Sequence, residues 1–184
     1  MALKATIHKA RMQLSDMDRG VYVERALTIA RHPSETDERM MIRLLAYALH
    51  APADERDGAL DFSKGLWDTD EPDLWLKDLT GTIRHWIDVG QPDERRMLRA
   101  ASRADRVTVI GYASSTPTWW KSVAGKLSRV RNVDVWQVPA AESQALGALA
   151  ERTMQLDVLV QDGTLSVGGG DALVNLTPVR LAAT

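Results

Sequence analysis

The sequence predicts an α/β protein built on a mixed β-sheet, and three observations carry that prediction. Residues 2–14 and 21–31 alternate apolar and polar side chains on either side of a turn cluster, the pattern of an antiparallel hairpin. Residues 107–112 (VTVIGY) form a nearly continuous apolar run, as in a strand covered on both faces. That run lies between two helical stretches and is followed by another strand, an order that implies right-handed crossovers and some parallel pairing.

At 184 residues the chain is long enough for one domain with a sizeable core and elaborated edges. Its apolar fraction of 45% and charged fraction of 26% are those of an ordinary globular protein. Six tryptophans stand against one phenylalanine, so several must be buried or line a groove. A formal charge of −2 argues against coating nucleic acid by electrostatics alone, while leaving room for a local basic patch. Without cysteine there are no disulfides, zinc–thiolate sites or thiol nucleophiles, which fits a reducing cytosol. The start, MALKATIHKARMQL, lacks the apolar core of a signal peptide, and no stretch reaches membrane-spanning length. A cytoplasmic protein with no membrane partner is expected.

In chain order, the first strand sets Leu3, Ala5 and Ile7 against Lys4, Thr6 and His8, then brings in Met12 and Leu14. His8 and His32 have no partner at ligand spacing and read as structural or surface residues. Ser34 is a good N-cap, with Asp37 three residues on, and Met41, Leu44, Leu45, Ala48 and Leu49 make an apolar stripe as far as His50. Ala51-Pro52 ends that helix. Glu38 falls on the edge of the stripe, where a carboxylate needs a partner. Arg31, Arg39 or Arg43 could supply one, or the helix end could project beyond the core.

A short strand at 59–64, an acidic turn near 68–72 and a central hairpin follow. The two hairpin runs, 74–79 and 82–89, flank Thr80-Gly81, a plausible two-residue turn. In that register Lys77 faces Arg84, Trp75 faces Trp86, Leu74 faces Ile87 and Asp73 faces Asp88. Two carboxylates directly opposite are destabilising unless a cation is shared between them, and hard divalent metals take such ligands. The alternative is a frayed, solvated hairpin end.

Pro92, Asp93 and Glu94 suit the start of a helix running to about Arg103, with Met97, Leu98 and Ala101 inward. Ser115 or Thr116 caps the next, which contains Trp119, Trp120, Val123 and Leu127. The pair could offer a stacking surface for bases, but adjacent helical positions point about 100° apart, so one tryptophan is core and the other half exposed, and a core role is the favoured reading. A strand at 133–138, a helix at 139–150 and short strands at 152–161, 164–167 and 172–177 complete the chain. Asp162-Gly163 is a strong hairpin turn. Gly168-Gly169-Gly170 lacks the Lys-Ser/Thr and following helix of a phosphate loop. No repeat or linker marks a domain boundary. The order from residue 34 is helix, three strands, helix, strand. Glu38, Asp73 and Asp88 on such a frame could hold one or two Mg²⁺, activate water and stabilise a phosphodiester transition state.

Several segments resemble the YaeQ family of bacterial proteins: the RHPSET run from Arg31 with Glu38-Arg39-Met40-Met41, Lys64-Gly65-Leu66, DEPDLW from Asp70, WIDVGQP from Trp86, and Val174-Asn175-Leu176-Thr177. The resemblance spans nearly the whole chain. It implies a single cytosolic domain over 1–184 whose fold varies the PD-(D/E)XK, restriction-endonuclease-like core (αβββαβ). That core would occupy about 34–138, with the hairpin 2–31 and the strands 152–177 as extensions. Asp73 after Pro72 resembles the motif's first acid, Asp88 its second, and Glu38 the acid often carried by its first helix. Where the motif places lysine, this chain has Gly90; Gln91, or Lys64 from the neighbouring strand, could stand in.

Three functions are therefore expected as alternatives. The first is a Mg²⁺-dependent nuclease or phosphodiesterase with Asp73, Asp88 and Glu38 as ligands and Gln91 or Lys64 as polar helpers. The second is a non-catalytic module, including a transcription-related one, that binds nucleic acid or a protein partner on the same frame. The third makes the acids a structural network with Arg31, Arg39 and Arg43.

Overall fold

A computed structural model of the chain describes residues 4–64, 68 and 70–182. The predicted strand start at Leu3 and the Gly65-Leu66 dipeptide lie outside them. The described chain is mixed α/β, with two mixed sheets and four helices, and it divides into two compact units.

The first unit comprises Met1–Ala53 and Ala141–Thr177. Strands β1 (Thr6–Asp16) and β2 (Val21–Arg31) form the predicted hairpin, with Met12 opposite Arg25. Helix α1 (Asp37–His50) follows, and helix α4 (Ala140–Gly147) begins at the unit boundary. Strands β8 (Thr153–Gln161), β9 (Thr164–Gly169) and β10 (Ala172–Leu176) give the sheet order β10-β9-β8-β1-β2, in which β8 runs parallel to β1. Alternation sends Met12 and Leu14 of β1, with Leu156 and Val158 of β8, to one buried face. Met41, Leu44, Leu45 and Ala48 of α1 and Leu146 of α4 pack there. The β8–β9 turn is Asp162-Gly163 as predicted, with φ of 53° and 75°. Asp18 fixes it by accepting from both turn amides.

Two features of α1 depart from the sequence reading. Thr36, two residues beyond Ser34, is the cap, its hydroxyl accepting from the Arg39 amide. The helix is buried around its whole circumference from Met40 to Ala48, not along a stripe, and Arg43 is only 2% exposed.

The second unit comprises Asp54–Ala140 and Pro178–Thr184. Its strands are β3 (Ala59–Phe62), β4 (Leu74–Lys77), β5 (Ile83–Val89), β6 (Arg106–Gly111), β7 (Val133–Gln137) and β11 (Val179–Ala182). They lie in the order β11-β7-β6-β5-β4-β3. The first three pair antiparallel, β5, β6 and β7 pair parallel, and β11 adds antiparallel to β7. The sequence reading did not include β11. Crossover helices α2 (Glu94–Arg103) and α3 (Thr116–Val123), the latter continued by a 3-10 turn (Ala124–Leu127), cover one face. Met97, Ala100 and Leu127 pack there against Trp86, Val107, Val109, Val133 and Val135. Leu98, predicted inward, is exposed, and Ala100 takes the inward position. The compact units also regroup the elements, because α1 clusters with the hairpin sheet and not with the strands that follow it.

Candidate functional site

The β4–β5 hairpin places the two acids that the sequence singles out. Leu74 faces Ile87 and Trp75 faces Trp86, as predicted, the indole pair meeting edge-on at 6.4 Å and 82°. The connection is not the two-residue turn expected. Its amides close one step wider, Asp78 N donating to Thr82 O and Gly81 N to Asp78 O, both at 3.0 Å. Lys77 therefore faces Ile83, and the register slips between Leu76 and Lys77. The extra residue on β5 cancels the wider loop, so the pairing beyond it is the one the sequence predicted.

Asp78, which sequence reasoning missed, organises that loop. Its carboxylate accepts from the Thr80 hydroxyl, the Thr80 and Thr82 amides and Arg84. These bonds, the Thr80 hydroxyl foremost, hold its carboxyl down to about 2. In a solvated loop this chemistry is structural.

Asp88 lies on β5, two residues from Trp86 and on the same face, and is 3% exposed. Its Oδ2 accepts from Arg96 Nε at 2.8 Å and its Oδ1 from Arg96 Nη2 at 2.9 Å. The Trp86 indole N–H donates to the same Oδ2 at 3.1 Å. Arg96 also donates to the Glu71 carbonyl and lies 5.9 Å from the Trp86 ring centroid. Asp73, just before β4, turns its Oδ2 back onto the Val89 amide at 2.7 Å. One acid thus seals the hairpin end and the other ties β5 to α2.

Glu38 belongs to the other compact unit. There its Oε1 accepts from Ser143, a fully buried residue of α4, and α4 approaches so closely that a Cβ on Gly147 would lie 2.9 Å from Glu38 Cα. The arginines expected to serve Glu38 serve Glu35 instead. Arg43 grips Glu35 at 2.8 and 2.6 Å and donates to the Ala30 carbonyl, Arg39 donates to Glu35 at 3.0 Å, and Arg31 donates to the Glu35 carbonyl. A network with Arg31, Arg39 and Arg43 exists, but on a different acid, Glu35, one residue after the predicted cap Ser34 and one before the observed cap Thr36.

Gln91 is exposed and donates through Nε2 to Ser115 Oγ at 2.8 Å, joining the loops that follow β5 and β6. Lys64 sits in an exposed bend after β3. Gly90 has φ of 107°, a conformation that disfavours any L side chain.

A divalent cation of the Mg²⁺ type needs carboxylate oxygens with open coordination around them. Asp88 presents both oxygens to one guanidinium, and Asp73 gives one to a backbone amide. That donor set does not match the requirement. Among the described residues no group of three or more His, Asp or Glu side chains is arranged to hold a metal ion. Nor is any described helix long and apolar enough to cross a membrane.

Arg96 is the residue sequence reasoning missed, and a signal for it existed. An arginine in the first turn of a helix opposes the macrodipole, so it asks for a nearby carboxylate. Asp93 caps α2 through the Arg96 amide, which puts Arg96 in that first turn beside the end of β5.

The model of the YaeQ protein family matches residues 1–178. The uncharacterised YaeQ proteins of Escherichia coli K12 and Salmonella typhi are each 43% identical to this chain, the first over 96% of it and 97% of their own length, the second over 90% and 89%. The crystal structure of the YaeQ protein from Xanthomonas axonopodis pv. citri superposes with a TM-score of 0.91 at 48% identity, covering 98% of this chain and 99% of that one. That from Pseudomonas syringae gives 0.90 at 37% identity, covering 98% and 97%.

Proposed function

The chain belongs to the YaeQ family, and from that premise we propose that it is a non-catalytic binding protein on a nuclease-like PD-(D/E)XK frame, in which Asp73 and Asp88 serve architecture instead of hydrolysis. The observation that carries this reading is the two-pronged Asp88–Arg96 ion pair. A guanidinium seated on both oxygens supplies the countercharge that a Mg²⁺ ion would bring, so a metal must displace it before binding. Gly90 supports the same reading, because the residue that would orient a nucleophilic water is replaced by one chosen for its backbone conformation. Within the second unit the order β3, β4, β5, α2, β6 supports a nuclease-like frame, while α1, which precedes them in the chain, belongs to the first unit.

Calorimetric titration of Mg²⁺ and Mn²⁺ into the wild type and into Asp88→Ala tests the proposal. No saturable heat is expected for either protein up to millimolar metal. Wild-type binding near or below millimolar that disappears in Asp88→Ala would overturn it and restore the metal-dependent phosphodiesterase.

A further inference from the structure

The second unit carries its charges in two blocks. Residues 54–93 hold eleven acidic and four basic side chains, a net −7. Residues 94–131 hold nine basic and two acidic, a net +7. The whole-chain charge of −2 conceals this division.

The fold gathers seven of these nine cations onto one surface, Arg96 being bound to Asp88 and Arg106 to Asp134. The inner sides of α2, α3 and the 3-10 turn all pack on the same sheet face, through Met97, Ala100, Trp119, Trp120 and Leu127. Their outer sides therefore make one solvent-facing layer. Along α2, Arg95, Arg99 and Arg103 recur every fourth residue and are exposed, a stripe rising about 6 Å per step. Lys121, Lys126, Arg129 and Arg131, on α3 and the segment after it, are exposed too. Arg99 pairs with Asp70 and Lys126 with Glu94, in solvent-exposed bridges that a polyanion exchanges at little cost. Arg95, Lys121, Arg129 and Arg131 have no carboxylate partner among the described residues. Four of the seven cations thus stand uncompensated.

We propose that this helical layer is a nucleic-acid docking surface that grips the phosphate backbone without reading sequence. The inference deepens the binding-protein reading above and rests on it, yet its residues are separate from Asp73 and Asp88. Charge complementarity selects the partner. Five of the seven cations are arginines, whose planar forks match phosphate oxygens. Trp120, half-buried beside Lys121, adds the edge of an aromatic platform. The indole N–H of its neighbour Trp119 is already committed to the Pro92 carbonyl.

The test is fluorescence anisotropy of a labelled oligonucleotide, single- and double-stranded, at several salt concentrations. It uses wild-type protein, Arg95→Ala/Lys121→Ala/Arg129→Ala, and a control, Lys9→Ala/Arg11→Ala, on the outer face of β1. All five positions are exposed, so both variants keep the fold. Expected are wild-type binding that weakens steeply with salt, roughly ten- to a hundredfold weaker binding by the triple variant, and a salt slope smaller by about two to three. The control should bind like the wild type. No binding of either oligonucleotide at low salt, equal losses in both variants, or tighter binding of poly-glutamate than of the oligonucleotide would each overturn the inference, the last assigning the surface to an acidic protein segment. Metal-dependent cleavage of a bound oligonucleotide would instead overturn the non-catalytic reading and leave this surface standing.

Discussion

Arg96 holds both carboxylate oxygens of Asp88, at 2.8 and 2.9 Å, across the junction of β5 and α2. Because Asp88 is 3% exposed, its charge has no solvent to turn to if the arginine is removed. Breaking such a pair leaves an uncompensated buried charge. Arg96 keeps about a quarter of its side chain in solvent, so the cost falls below that of a fully buried pair.

Arg96→Ala should therefore destabilise the protein by about 2–3 kcal/mol. Adding Asp88→Asn to it should recover part of that loss, since the stranded charge is gone. Urea unfolding of the two singles and the double closes the cycle. Additive effects would show that the pair contributes nothing beyond its separate parts.

The Glu35–Arg43 pair makes a sharper case, because both side chains are under 5% exposed. Three donors, from Arg43 and Arg39, converge on the Glu35 carboxylate. Glu35→Ala should cost about 3–5 kcal/mol, more than Arg96→Ala. Thermal unfolding of the two variants side by side decides the order. A smaller loss for Glu35→Ala would mean that α1 is held by its apolar packing alone.

The contrast between these pairs shows what was legible in the sequence. Among the described residues, alternation, apolar runs and turn residues located ten of the eleven strands and the facing pairs Leu74–Ile87 and Trp75–Trp86. The hairpin survived a wrong turn because the wide loop at Asp78 and the slip at Lys77 cancel. Pairing partners were less legible. The apolar stripe puts Glu38 on its edge and offers it Arg31, Arg39 or Arg43, or a helix end beyond the core, and singles out no partner for Glu35. With the cap at Thr36, Glu35 lies outside the helix and folds back along it, a tertiary detail that no periodicity encodes. Arg96 left a local clue in its clash with the macrodipole, but which acid answers it depends on the β5–α2 packing.

His85 gives a pH dependence whose sign can be worked out. It is buried on β5, with Nε2 at 2.7 Å from Thr108 Oγ1. Burial foremost, and Arg106 second, push its imidazole down from 6.5 to about 4, against an opposing pull from Asp134. Between those two pH values the unfolded chain binds a proton that the folded one refuses. Stability is then full above pH 6.5 and falls as pH drops towards 4, by roughly 3 kcal/mol in all. His85→Gln should flatten that window in urea unfolding at stepped pH, and an unchanged slope would assign the effect elsewhere.

Gly90 offers the most direct trial of the relation between frame and chemistry. Gly90→Lys introduces the residue type that the proposed nuclease-like frame would call for there. At φ of 107°, however, a side chain costs about 1–2 kcal/mol of strain. Nothing lies within 4 Å of a Cβ at this position, so the penalty is conformational and not steric crowding. The variant should fold, lose stability by that amount, and gain no Mg²⁺-dependent cleavage of a labelled oligonucleotide, because Arg96 still occupies Asp88. Combining Gly90→Lys with Arg96→Ala frees the carboxylate and supplies the lysine together. Cleavage appearing only in that double variant would make Arg96 the block on chemistry. Cleavage in Gly90→Lys alone would show that the ion pair opens readily to metal.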